Sequence, residues 1–189
     1  MRTTIILLVL LSLVSGGLIS LIMALRTPVL EEPVTVLPGV TLSPQDFTGA
    51  GMGSARSVQY AGSSFVFYAD ASGAELADAK SGFTVELQGG ASVTVLCGRL
   101  ADDAGHVLRD KAYGWYRSEA VSAGLVDDTG TSVIGDGSAH YAASDVAAVL
   151  VRRNDVVFTL LYTLGSAAAD AAVPLAAAQT LARTLASRL

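Results

Sequence analysis

From Thr4 to Leu25 the chain carries no charged side chain, and this one run constrains everything downstream. About 20 apolar residues rising 1.5 Å each cross a hydrocarbon core of roughly 30 Å, so the run predicts a transmembrane anchor over residues 1–26. The competing reading is a cleaved secretory signal, since Arg2 supplies a positive start and Val14-Ser15-Gly16 offers small residues at cleavage spacing. The length of the run favours a retained anchor. Basic flanks are sparse, with Arg2 before the run and Arg26 after it. A first hydrophobic segment tends to send the following domain outward, so the expected placement is an N-terminus in the cytoplasm and residues 27–189 outside it, in a single-pass cell-membrane protein.

Within the run, Ser12, Gly16, Ser20 and Ala24 recur at every fourth position, which places four small side chains along one row of a helix. Helix association in lipid relies on close van der Waals fit, and small residues permit it. This row is the expected helix-packing face, with Leu8, Leu11, Leu18, Ile22 and Leu25 turned to lipid.

Four of the five prolines, Pro28, Pro33, Pro38 and Pro44, follow within a short stretch. Proline fixes φ and removes a donor, which argues against both helix interior and central strand. The reading is an extended Pro/Gly-rich linker over 27–56, reaching up to ~60 Å across residues 27–46 at about 3.1 Å per residue. Free linkers are normally polar, whereas this one carries Val34, Val36, Leu37, Val40 and Leu42. Those aliphatics are expected to lie against a protein surface, either the chain's own domain or a partner's. The alternating glycines between Phe47 and Ala55 lack the strand and helix that a dinucleotide loop requires, and read as a flexible joint.

Residues 57–189 read as one α+β domain, an antiparallel sheet with packed helices including a C-terminal helix. Phe65 to Tyr68 is strand-like, and Ala74 to Lys80 suggests a short helix. Phe83 to Leu87 and Ser92 to Cys97 form a hairpin by alternation. On its second arm Val93, Val95 and Cys97 share a face, which makes the single cysteine a small buried residue. His106 to Gly124 has helical spacing, with Gly124 as a stop. Its aromatics Tyr113, Trp115 and Tyr116 beside Lys111 and Arg117 suit either a docking patch or core plus rim. Val146 to Val151 and Val156 to Tyr162 are β-rich and joined at Asn154-Asp155, while Leu175 to Leu189 presents one apolar face.

Ile134-Gly-Asp-Gly-Ser-Ala139, the strand ending Val149-Leu-Val-Arg-Arg153, the strand from Val156 to Tyr162 and the alanine-rich last helix together resemble the C-terminal half of membrane-anchored or lipoprotein extracytoplasmic domains of actinobacteria, including the sensor-like domain outside some receptor kinases. The resemblance covers residues 131–189. It implies an extracytoplasmic α+β fold and specifies no activity. The chain departs from it in lacking a lipobox and paired cysteines.

The chemistry-bearing residues point away from catalysis. His106 and His140 pair neither with Cys97 nor with each other at metal-ligand spacing. No Gly-x-Ser-x-Gly turn presents a nucleophile, and the pairs Asp102-Asp103 and Asp127-Asp128 lack calcium-loop spacing. No enzyme activity, cofactor or metal is expected. Residues 27–189 hold all 17 acidic side chains and every basic one except Arg2 and Arg26, so that part is net acidic and nucleic acid is a poor partner. Two functions fit. The first is an accessory or assembly subunit of a larger bacterial membrane complex, contacting an integral membrane partner and lipid. The second is an extracytoplasmic ligand-binding or sensing module.

Overall fold

The computed structural model describes residues 29–62, 65–69, 75–100, 106–127, 132–143, 145–165 and 175–189. The apolar run with Ser12, Gly16, Ser20 and Ala24 lies outside them, as do Asp102, Asp103 and Asp128. Among the described residues no helix is long and apolar enough to cross a membrane.

The frame is a seven-stranded antiparallel sheet built from β3 (Ala55–Tyr60), β4 (Ala77–Leu87), β5 (Ser92–Leu100), β6 (Val126–Asp127), β7 (Gly137–Ala142), β8 (Val146–Arg153) and β9 (Val156–Thr163), in the order β3-β4-β5-β9-β8-β7-β6. With its helices this is an α+β architecture. The two predicted hairpins are present, with Val85 opposite Val93 in one and Arg153 opposite Val156 in the other. Asn154 turns the second at φ 52°, a conformation that asparagine tolerates better than most residues.

Strands β8 and β9 are buried on both faces, which explains their near-continuous apolar sequence. On the first face Val149, Val151, Phe158, Leu160, Val93, Val95 and Cys97 meet α3 (Leu175–Ala186), whose Ala178, Leu181, Ala182 and Leu185 are fully covered. On the second face Ala148, Leu150 and Val157 meet α2 (Val107–Ser122) and the extended segment containing Phe67. The helices thus sit on opposite sides of the same central strands.

The segment expected to be a linker departs most from the sequence reading. It holds a hairpin of β1 (Val34–Leu37) and β2 (Val40–Leu42) and a short helix α1 (Pro44–Gly49). Val34, Val36, Leu37, Val40 and Leu42 are all buried in the first-face core, so the surface they cover is the domain's own. The prolines serve as punctuation. Pro38 precedes Gly39 at φ +81° in the two-residue turn, the residue order of a type II turn. Pro44 opens α1, where its missing N–H costs nothing. The expected flexible joint is likewise packed, with Phe47 and Met52 buried.

Two smaller expectations change. The short helix over Ala74 to Lys80 gives way to strand, since Ala77 to Lys80 begin β4 and pair with β5 from Leu100 to Gly98. Cross-strand partners override the modest helix preference of that segment. Phe65 to Tyr68 is extended without belonging to a strand, beside a single bridge between Ala69 and Glu75. It crosses the second face, where Phe67 is 1% exposed.

Candidate functional site: an apolar cavity beneath the second helix

Helix α2 is pinned at one end and propped at the other. Near its start the buried Arg109 donates to the Asn154 carbonyl at 2.9 Å and to Asp136 at 3.3 Å, and Arg152 reaches Asp110 at 2.6 Å. These contacts fix the first turn to the β8–β9 turn. Toward the other end, the sheet-facing positions Ala112, Tyr116, Ala120 and Ala123 are small apart from one aromatic. The helix stops in a Schellman arrangement, with Gly124 at φ +81° donating to Val121 at 3.0 Å and Leu125 donating to Ala120 at 3.1 Å. That motif turns Leu125 back toward the sheet.

Small residues under a pinned helix leave space, and a cavity of about 320 Å³ occupies it. Its sheet side is Leu96, Ala148, Leu150 and Leu161, together with Tyr141 and Thr159. Its helix side is Trp115, Tyr116, Ala120 and Ala123, with Glu119 the one charged wall residue. The volume falls at the lower end of the roughly 300–1,000 Å³ typical of small-molecule sites. A larger hollow of about 440 Å³ beside Val29, Leu30 and Pro44 is an open depression with mixed polar and apolar walls.

The aromatic trio divides by role. Tyr116 faces the sheet, packs on Phe67 at 5.1 Å between ring centroids and donates its hydroxyl to the Phe67 carbonyl. Tyr113 lies under the Arg152 guanidinium at 5.2 Å. Trp115 stays 46% exposed at the cavity rim, edge-on to Tyr116 at 4.7 Å. Burial raises the ionisation of the Tyr113, Tyr116 and Tyr141 phenols above the ordinary range, so all three are protonated hydroxyls at neutral pH.

Tyr141 and Thr159 contribute carbon surface to the cavity, while their oxygens are tucked away from it. Both oxygens are buried, and among the described residues neither meets a partner at hydrogen-bonding geometry. Arg117, paired to Asp127 at 2.9 Å, lies beside the Tyr141 phenol and partly offsets the effect of burial on it. An unsatisfied buried hydroxyl costs about 1–3 kcal/mol. The sequence reading overlooked Tyr141 and Thr159, because nothing in a linear pattern marks a side chain that folding will bring to a cavity wall.

Two further groups are buried within the fold. His140, 2% exposed, sits between Ser138 Oγ at 2.7 Å and Gln179 Nε2 at 2.9 Å, and Ser138 also accepts the Ile134 N–H at 2.9 Å. This strut ties the start of β7 to α3. Cys97 is buried on the first face, and burial pushes its thiol far up from the ordinary range. Among the described residues no group of three or more His, Cys, Asp or Glu is placed to hold a metal ion. No protein-family model, curated protein or solved structure matches the chain, so the cavity's own chemistry is what speaks for its role.

Proposed function

We propose that this chain is a membrane-anchored, non-catalytic binding module whose extracytoplasmic α+β domain holds an apolar small molecule between α2 and the sheet. The observation that carries the reading is the cavity itself, a space of about 320 Å³ with leucine, alanine and aromatic walls. Well-packed interiors rarely keep voids larger than a water molecule, and an apolar space of this size is the ordinary form of a ligand site. The alternative of an accessory subunit keeps the helix row Ser12, Gly16, Ser20 and Ala24 in its favour. It loses the argument from an apolar strap, because Val34 to Leu42 fill the domain's own core.

The test is recovery of the occupant. Solvent extraction of the full-length protein purified from native membranes, followed by mass spectrometry, is expected to yield a bound apolar compound. The same compound should be depleted in Ala120→Phe, which fills the space from the helix side. Equal recovery from both proteins, or recovery of nothing, counts against a ligand in this cavity. A stoichiometric integral-membrane partner copurifying alongside an empty cavity supports the accessory-subunit assignment.

A further inference from the structure

The cavity wall changes character from inside to outside. On α2 the inner row, Tyr116 and Ala120, is half-buried, whereas Trp115, Glu119 and Ala123 are exposed and follow one another a turn apart, forming a lip along one edge of the helix. On the sheet side Leu96 and Leu161 are half-buried and Leu150 is 2% exposed. The interior is therefore aliphatic, and the lip is aromatic and acidic. A bound molecule places its apolar body inside and keeps any strongly hydrated group at the lip, because burying such a group unpaired is costly.

The lip also has a sign. Among the described residues Glu119 is the one charged member of the wall, and no basic side chain forms an ion pair with it. Arg117 is off this row and is matched by Asp127 at 2.9 Å. Lys111 is on the row but two turns earlier, about 12 Å along the axis at 1.5 Å per residue, and is not part of the wall. Trp115, one turn from Glu119, is 46% exposed, and the Tyr68 ring lies 6.1 Å from it between centroids. Aromatic rings beside a carboxylate attract an ammonium through the ring quadrupole and the charge together. An anionic head is repelled there, and a neutral head gains from neither. Resting on the binding-module reading above, we infer that the occupant is a cationic amphiphile, its aliphatic body among Leu96, Leu150 and Leu161 and its ammonium at the lip formed by Trp115 and Glu119. At roughly 30 Å³ per heavy atom, comparable to a water's share of its liquid, about 320 Å³ holds a short chain.

Trp115, the sole tryptophan, reports on the lip by fluorescence. The full-length chain, held in one non-ionic detergent for all variants, is titrated with hexyltrimethylammonium, hexanol and hexanoate, and saturation-transfer NMR of the probes gives a second readout. Wild type is expected to bind the ammonium about five-fold more tightly than the alcohol, and the carboxylate most weakly. Glu119→Gln should remove most of that preference and leave hexanol affinity unchanged, which also shows that the variant is folded. Ala120→Phe should weaken all three probes, and added salt should narrow the preference for the ammonium. If alcohol and ammonium bind wild type alike, or if Glu119→Gln keeps the preference, the cationic assignment is overturned while the apolar cavity stands. Loss of all three probes in Glu119→Gln overturns it too, because the residue then supports the fold rather than reading charge. Tightest binding of hexanoate reverses the sign of the lip and overturns the assignment. Failure of all three probes to register by either readout overturns the binding module itself.

Discussion

Arg188, just past the C-terminal helix, holds the Asp46 carboxylate through two hydrogen bonds of 2.7 Å, joining positions 142 residues apart. Its guanidinium also donates to the Thr41 carbonyl at 2.6 Å, so one side chain ties the end of α3 to α1 and β2. Asp46 further accepts the Ser43 N–H at 2.6 Å at the start of α1. Burial alone would lift the Asp46 carboxyl, but the bonds from Arg188 and Ser43 outweigh it and hold the group below its ordinary 3.8.

That relationship forecasts a pH signature. A depressed carboxyl contributes stability fully above its unfolded value and loses it as pH falls through the folded one. Arg188→Gln should cost about 1 kcal/mol at pH 7, discounted for partial exposure of the arginine. The gap from wild type should shrink steadily below the ordinary value of 3.8. Urea midpoints from pH 7 down to acid check this, and a gap independent of pH would show that the carboxylate's charge is irrelevant.

A second acid-sensitive point is the β8–β9 turn. The Asn154 N–H at 2.8 Å, and then Arg153, hold the Asp136 carboxyl below its ordinary range, with burial opposing them. Asp136→Asn keeps the shape but weakens these bonds and the one to Arg109. The expected loss is about 1–2 kcal/mol at pH 7, together with a local rise in amide exchange at Asn154 and in the first turn of α2. Unchanged exchange there would mean that α2 is not pinned through this carboxylate.

Gly98 and Phe67 approach closely on the second face. A Cβ at position 98 would lie 2.3 Å from the Phe67 ring, far inside van der Waals contact. Gly98→Ala should destabilise by about 1–3 kcal/mol through overpacking. Phe67→Leu alone also destabilises, yet added to Gly98→Ala it should recover part of the loss. Thermal unfolding of the four proteins gives the coupling energy, and simple additivity would deny that the two residues touch.

Cys97 offers a readout of native packing. It is buried on β5 with its thiol pushed far up by burial, so it is both shielded and protonated. Ellman's reagent should modify it only as fast as the domain unfolds, and rapid reaction with the intact protein would contradict its place in the core.

The β1–β2 hairpin makes the boldest forecast, because its sequence suggests a tether. With Val36 and Leu42 fully covered, limited proteolysis should leave residues 34–42 uncut in the native domain. Val36→Asp should unfold the domain, since it buries an unpaired charge. Cleavage within this stretch before any loss of sheet signal would restore the linker interpretation.

Local pattern alone was enough for the strands at 83–87, 92–97, 146–151 and 156–162, for helices within 106–124 and 175–189, and for the burial of Cys97. Each rests on periodicity and turn chemistry that neighbouring residues carry, as Asn154 does in its tight turn. The same chemistry misled in residues 27–56, where proline density suggested extension while Pro38 and Pro44 were marking a turn and a helix start. Whether Val34 to Leu42 meet solvent, a partner or their own sheet depends on a surface assembled from β4, β5 and α3, which lie far along the chain. The cavity is more remote still from linear pattern. It lies among side chains of α2, β5, β7, β8 and β9, small at Ala120 and Ala148, that only folding brings together. Only tertiary structure decides such things, since an empty space is a property of what surrounds a residue rather than of the residue itself.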